Sequence, residues 1–438
     1  TTGNNNTACG YQSLYYNTTG FNNFSFGYQS LYNNTTGWQN IGIGIETLFL
    51  NTTGAINIAI GNNALHSNTT GDYNIANGNQ ALYLNTTGEG NNAKGSGSLY
   101  NNTTGSYNST IGQSSLYSNT TGSNNSAIGY RALYFNTTAN NNIAIGQEAL
   151  YNNSAASNNI ALGYESLHAN TTGANNIASG YQALNKNTTA SNSIALGYQS
   201  LFNNSIGESN IANGVFALYN NTNGNYNIAT GYQALYANTT GDHNIANGYI
   251  ALTSNTTGSN NLAYGRQALE VNTTGNYNTA IGIRSVESNT TGVNNTGIGT
   301  FSLQTPTTGT NNTALGYSSD VSLATATNAT ALGYNATAPA SNYVRVGNTA
   351  VTAIVGQVNF TTSDGRFKTN VQNNVPGLDF ILKLKPVTYH FEKARYSAFI
   401  GEKQEASYVS ELQQQDAENK LSSGFIAQEV EATANELH

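Results

Sequence analysis

The sequence is poor in charge: only 8% of its 438 residues are Asp, Glu, Lys or Arg, against about 25% in an ordinary globular domain. Its 14 basic residues are outnumbered by 21 acidic ones, so it presents no positive field for nucleic acid. No run of about 18 apolar residues occurs, and nothing reads as a membrane-spanning helix. Cysteine is limited to Cys9, which excludes an internal disulfide and any C-x-x-C metal or redox motif. There are 4 prolines beside 46 glycines, and the glycines have no three-residue period, which excludes a collagen helix. Disorder of the polyelectrolyte kind is excluded too, because the net charge is −7 and 10% of residues are aromatic. Methionine is absent and the chain opens mid-phrase with T-T-G-N-N-N-T-A-C-G. It therefore reads as a piece of a longer or processed protein, without a recognisable signal peptide.

Repetition dominates what is present. Gly10, Gly27, Gly44, Gly61 and their successors recur at one constant step to Gly316 and Gly333, without insertion or deletion. The unit is close to G-Y-Q-A-L-Y-x-N-T-T-G-x-N-N-I-A-I. One column holds leucine (Leu14, Leu31, Leu48, with Val286 as an exception). A second holds a small residue (Ala59, Ala76, Ala93, with Gly42, Thr110 and Gly297 as variants), and a third holds Asn40, Asn57, Asn74 and Asn91. Seventeen residues with two glycine-marked corners are too few for a helical repeat. Two strand-like runs fit instead, N-I-A-I and Y-Q-A-L-Y. The expected fold is an all-β repeat, a parallel β-solenoid or β-roll of about 20 coils, with a small α+β domain after it. At about 4.8 Å per coil the stack is roughly 95 Å long. Leucine and alanine columns form a thin core, and the Asn column forms an amide ladder. The residue after the small column alternates between apolar and polar (Ile60, Asn77, Lys94, Ile111, Ser179). That pattern reads as a partly covered face, an interface between chains of a trimer. Unpaired backbone at the ends of a solenoid also allows an open-ended filament.

Each N-T-T corner is also an N-x-[ST] sequon, at Asn17, Asn34, Asn51, Asn68, Asn85, Asn102, Asn119, Asn136, Asn170, Asn187, Asn238, Asn255, Asn272 and Asn289. Two readings stay open: plain turn chemistry, or a glycan at nearly every corner of a sugar-coated filament. Tyrosines after the corner glycine (Tyr11, Tyr28, Tyr130, Tyr164, Tyr181, Tyr198, Tyr232) are read either as interface packing or as an aromatic stripe for carbohydrate. Catalysis in the repeats is not expected. The acids are scattered singly (Glu46, Asp72, Glu89, Glu148, Glu165). His66, His168 and His243 are read as falling at unrelated repeat positions, which disfavours a metal site. No cofactor is implied.

Charge density changes abruptly near Ser363: 16 charged residues precede it and 19 follow from it to the end of the chain. The expected division is a shaft over 1–333, a neck over 334–362 and a C-terminal domain over 363–438. The repeat unit resembles the head repeats of trimeric autotransporter adhesins, which are β-rolls. The C-terminal segment carries S-D-G-R-F-K at 363–368, G-L-D-F-I-L-K-L-K-P-V-T-Y at 377–389 and G-F-I-A-Q-E-V-E at 424–431. This ordered trio resembles the intramolecular chaperone domain of endosialidases, peptidase family S74. The Y-V-R-V-G-N-T-A-V-T-A-I-V-G stretch at 343–356 is also usual upstream of that domain in fibre-like proteins.

The resemblance implies a role at the end of a trimeric fibre, where the domain brings three chains into register and then cuts itself off. The cut implied is Thr362–Ser363, with Ser363 as nucleophile, Lys368 as base, and Asp364 and Arg366 positioning the turn. A serine hydroxyl needs such a base to become a nucleophile, and a desolvated lysine supplies one. On the residues alone, Ser363-Asp364 equally well cap a helix N-terminus and Lys368 is a solvated charge. The segment 392–423 is read as a polar loop or helical excursion between a P-V-T-Y strand and an A-Q-E-V-E helix. The chain ends at His438, before the strand and coiled-coil helix that usually follow in that family, so the domain reads as truncated. Taken together, the sequence predicts an extracellular structural fibre, an adhesin or tail-fibre shaft on a cell surface or virion. Its partner is itself, with a surface glycan or receptor as the second candidate.

Overall fold

The computed structural model describes residues 2–352, 377–390 and 421–436. Two compact units divide between Ile354 and Val355. In the first unit every coil contributes one three-residue strand, from Thr7–Cys9 and Phe24–Phe26 through to Thr313–Leu315 and Thr330–Leu332. Each strand pairs in parallel with the strand of the next coil, as Ile58↔Ile75 and Ala59↔Ala76 do, and the sheet is 21-stranded. The expected parallel β-solenoid of 17-residue coils is therefore the fold observed. Within each strand the middle residue faces inward and its neighbours face outward, as the two-residue period of a strand requires. Ala59, Ala76 and Ala93 are fully buried, whereas Ile60, Asn77 and Lys94 are exposed.

The second run, Y-Q-A-L-Y, is not a strand. Alternate residues take positive φ, for instance 51° at Gln29 and 53° at Leu31, and the run turns rather than extends. Its N–H groups still bond between coils: Gln29 donates to the Tyr11 carbonyl and Leu31 to the Thr47 carbonyl. Left-handed backbone at a leucine costs about 1–2 kcal/mol. Fully burying the leucine side chain contributes about 1.5–3 kcal/mol, and the inter-coil hydrogen bonds add to it. The balance favours the strained backbone, repeated in coil after coil with Leu48, Leu65 and Leu82 at 0% exposure.

The core of each coil is narrow, as with Ala59, Ala64 and Leu65, and in two places a larger neighbour is met by a glycine at the strand centre. Where Ser30 and Thr47 enlarge the flanking column, the strand centre shrinks to Gly42. A Cβ there would lie 2.6 Å from Ser30 Oγ and 2.9 Å from Thr47 Oγ1. Where Val286 stands in the leucine column, the strand centre is Gly297, whose Cβ would lie 2.6 Å from Val286 Cγ2. The corner glycines obey a different constraint. Gly112 has φ 136°, and a Cβ on it would lie 2.5 Å from the Gly129 carbonyl oxygen, so the column admits no side chain at all.

The regular step ends at Gly333. The next strand, Val344–Val346, pairs with Thr330–Leu332 across a shorter coil. The bond from Asn328 Nδ2 to Asn342 Oδ1 spans the same shortened step of 14 residues. Residues Val344–Val346, within the span read as a neck, thus join the sheet. Short strands Asp320–Val321 and Thr337–Ala338 add a second parallel pair here. Burial pushes the Asp320 carboxyl above its usual range, opposed by hydrogen bonds from the Thr305 hydroxyl and N–H.

In the second unit, helix Gly377–Lys383 precedes strand Val387–His390, which pairs antiparallel with Leu421–Gly424. Helix Ala427–Glu436 follows. The P-V-T-Y run and the A-Q-E-V-E run are thus strand and helix, as their sequences suggest. The polar segment 392–423 lies outside the described residues except for its last three, which join the strand.

Candidate functional site

The corner N-T-T triplet has a division of labour. The first residue points inward. Asn51 Nδ2 donates to Asn34 Oδ1 of the preceding coil at 2.8 Å and to the Gly54 carbonyl at 2.9 Å. Asn68 Nδ2 in turn donates to Asn51 Oδ1 at 2.8 Å. This ladder runs without a break from Asn17 to Asn289. All the sequon asparagines of the N-T-T corners are on it, 8% exposed at Asn17 and 0% from Asn34 onward. The second residue bonds along the stack, as Thr35 Oγ1 does to the Thr52 carbonyl at 2.9 Å. The third, such as Thr53, is exposed.

A parallel ladder occupies the column expected to form one. Asn57 Oδ1 accepts from the Asn74 N–H at 2.9 Å, and Asn57 Nδ2 donates to the Gly71 carbonyl at 2.9 Å. Sequence reasoning found this second ladder and missed the first. The signal for the first was present. Asn153, Asn204 and Asn221 keep the column although their third residues are Ala155, Ile206 and Asn223, which destroy the sequon.

Two aromatic columns run along the outside. Tyr32, Phe49, His66, Tyr83, Tyr100, Tyr117, Tyr134, Tyr151 and His168 stack face to face with centroids 5.0–5.4 Å apart. His66 and His168 therefore share one column, six coils apart, contrary to the sequence reading of unrelated positions. Each faces a glutamate: His66 Nε2 lies 3.8 Å from Glu46 and His168 Nε2 lies 3.6 Å from Glu148. Burial lowers the His66 pKa, and the Glu46 charge partly opposes this. Burial also pushes the Glu165 carboxyl up, but hydrogen bonds, led by the one from Gln182 at 2.8 Å, outweigh it and leave the group more acidic than usual. Among the described residues no group of three metal-ligating side chains comes together.

The tyrosines after the corner glycine form the other column in pieces. Tyr11 stacks on Tyr28 at 5.4 Å, and Tyr164, Tyr181 and Tyr198 stack at 5.2 and 5.1 Å. Tyr130 lies beneath the Arg131 guanidinium at 5.0 Å. Tyr232 stacks on Tyr249. Ring faces are thus largely covered by neighbouring rings, and edges and hydroxyls meet solvent. A sugar that stacks on an aromatic face finds few faces open. A more receptive feature is an open groove of about 580 Å³ lined by Lys186, Asn203, Ser205, Asn220, Thr222, Ala237 and Thr239. There Lys186 Nζ donates to Asn203 Oδ1 at 3.0 Å and Asn203 Nδ2 to Asn220 Oδ1 at 3.1 Å.

The outward strand column contains exposed apolar stretches, Ile111, Ile128 and Ile145 in one place and Ile281, Ile298 and Leu315 in another. The second unit is similarly uncovered. Ile381 is 62% and Leu382 73% exposed, Phe425 and Ile426 are exposed, and helix Ala427–Glu436 has no buried residue. An exposed ion pair links Lys383 Nζ to Glu436 Oε1 at 3.0 Å. Ser363, Lys368, Asp364, Arg366 and the Thr362–Ser363 bond lie outside the described residues.

Residues 363–437 match the family described as chaperone of endosialidase, peptidase S74. No curated protein matches the chain. Among solved structures, the collagen-binding domain of the Yersinia adhesin YadA is similar at 20% identity and a TM-score of 0.24, covering 40% of this chain and 77% of that one. The chain thus combines a β-solenoid of 17-residue coils with a C-terminal segment that matches the endosialidase chaperone family.

Proposed function

We propose that this chain is the shaft of a self-associating surface or virion fibre, and that its C-terminal segment, 363–438, guides three copies into register. The observation that carries the reading is the match of residues 363–437 to an assembly-chaperone family, C-terminal to a long β-solenoid. Exposed apolar side chains support it in both units. Ile381 and Leu382 cost little when exposed singly, but a helix that buries none of its residues requires a partner surface to contribute stability. A second copy of the same chain supplies one at the same concentration.

Self-cleavage belongs to the same proposal. Lys368 takes the proton from Ser363 Oγ, which bonds to the Thr362 carbonyl carbon. The C–N bond breaks, the Ser363 amine leaves with a proton, and water then splits the ester. The step consumes one water and requires no cofactor. Intact mass under native and denaturing conditions tests both halves. The expected result is a native trimer whose denatured shaft ends at Thr362, and an uncut chain for Ser363→Ala with the trimer retained. A monomeric native mass refutes the fibre reading, and a Ser363→Ala chain that is still cut refutes the Ser363–Lys368 assignment.

The groove at Lys186, Asn203 and Asn220 favours carbohydrate recognition as a second reading, since a cation beside stacked amides suits an acidic sugar. Binding of acidic glycans that is present in wild type and disappears in Lys186→Ala with Asn203→Ala supports it; no binding on a glycan array removes it.

A further inference from the structure

N-linked glycosylation forms a bond from the Asn Nδ2 to a sugar and consumes one of the two amide hydrogens. In each ladder rung from Asn34 to Asn289 both hydrogens are engaged. Asn119 Nδ2 donates to Asn102 Oδ1 at 2.7 Å and to the Gly122 carbonyl at 2.9 Å, and the residue is fully buried. A substituted amide keeps one hydrogen and carries a group far larger than any space between coils. The fold also shows which residue each coil requires. The ladder asparagine and the second-position hydroxyl persist where the sequon fails: Asn153 still bonds Asn136 Oδ1 at 3.1 Å, and Ser154 Oγ still bonds the Thr171 carbonyl. The third-position hydroxyl, the one that a sequon requires, changes there to Ala155, Ile206 and Asn223. Coil closure thus selects N-[ST], and the sequon follows only where a surface threonine comes next.

A different set of sequons lies open. Asn5-Asn6-Thr7, Asn124-Asn125-Ser126, Asn311-Asn312-Thr313 and Asn335-Ala336-Thr337 each begin with an exposed asparagine in the left-handed region. Their φ angles are 56°, 58°, 58° and 51°. The Nδ2 atoms of these four donate to no other described residue. Two further exposed sequon asparagines, Asn294 and Asn328, each spend one amide hydrogen on a neighbouring Oδ1.

We infer that glycosylation and coil closure exclude each other at the N-T-T asparagines, and that the exposed Asn5, Asn124, Asn311 and Asn335 are among the positions at which the folded shaft accepts an N-linked glycan. The chain therefore reaches its native state only when its N-T-T amides escape oligosaccharide transfer, either in a compartment without it or by closing first. This inference is independent of the oligomeric state and of Ser363.

The test is secretion of the full chain from a eukaryotic host, separation of the protease-resistant fraction from the retained fraction, and glycopeptide mapping of both. The expected result in the resistant fraction is sugar at Asn124, Asn311 and Asn335 and none at the N-T-T asparagines Asn34 through Asn272, with N-T-T sugar confined to the retained fraction. A variant with the exposed third threonines Thr36, Thr53, Thr70 and Thr87 changed to alanine keeps the ladder and removes four of the N-T-T sequons. It is expected to raise the resistant fraction severalfold. Sugar on any of those N-T-T asparagines in resistant protein overturns the exclusion. Resistant protein without sugar at Asn124, Asn311 and Asn335 overturns the acceptor assignment.

Discussion

Replacing Asn119 by alanine probes the feature on which the stack depends. Three hydrogen bonds disappear: those to Asn102 Oδ1 and the Gly122 carbonyl, and the one accepted from Asn136 Nδ2 at 2.8 Å. The partners are not left equally poor. The Gly122 carbonyl still accepts from Asn108 Nδ2 at 2.9 Å, and Asn136 Nδ2 still donates to the Ala139 carbonyl at 3.2 Å. Asn102 Oδ1 loses its ladder donor. One buried orphan costs about 1–3 kcal/mol. With two half-satisfied partners and a small void, the expected total is about 3–5 kcal/mol. Global melting is a poor readout, because a solenoid opens coil by coil rather than in one step. Hydrogen exchange of the amides in 102–139 reads the local opening directly. The expected acceleration is roughly a hundred- to several-thousand-fold, at tenfold per about 1.4 kcal/mol. Thr121→Ala is the control, since Thr121 is exposed and its side chain makes no inter-coil bond; it should change exchange less than about threefold, within about 0.5 kcal/mol. If Asn119→Ala exchanges no faster than Thr121→Ala, the ladder does not hold the coils and does not close the sequons.

The same packing sets several other outcomes. Gly112→Ala should destabilise its coil by at least about 2 kcal/mol, because φ 136° and the Gly129 backbone both reject a Cβ. Gly122→Ala should cost less, since Ala139, Ala156 and Ala190 already occupy that column; urea-dependent exchange compares the two. Gly297→Ala should cost about 1–3 kcal/mol by overpacking against Val286, Ser285 and Ser302, and adding Val286→Ala should recover the part that Val286 contributes. Additive losses in that double-mutant cycle would rule out the compensation. The His66 ring should titrate below its usual 6.5, because burial disfavours the cation, and Glu46→Gln should lower the midpoint further. The folded state then binds the proton less readily than the unfolded chain, so stability is lost as pH falls through about 6.5 toward the lower folded value. Imidazole NMR checks this, and a midpoint at or above 6.5 would contradict it.

The repeat period, the parallel stacking and the leucine, alanine and Asn40-type columns are legible in the sequence alone. A repeat without insertions records which residues stack, whatever the coil's shape. Strand Val387–His390 and helix Ala427–Glu436 are legible for a similar reason, through local pattern, whereas Leu421–Ser423, read as the end of a polar loop or helical excursion, joins a strand. Conformation inside the coil is not. Y-Q-A-L-Y has the aromatic look of an exposed strand, yet Gln29 and Leu31 take positive φ because neighbouring coils satisfy their N–H groups and bury the leucine. Local propensity carries no term for those neighbours. The same holds for the corners. Asn, Thr, Thr and Gly suit a surface turn by composition, and only the closed coil turns Asn34 and Asn51 inward and leaves Thr36 and Thr53 outside. It likewise stacks Tyr181 on Tyr198, so that the ring faces that read as a sugar platform cover one another. The sequence by itself determined what lies above and below each residue, because that is set by counting along the chain. Which residues of the corners face inward was decided by the tertiary structure, because it depends on hydrogen bonds between coils that exist only once the stack has closed.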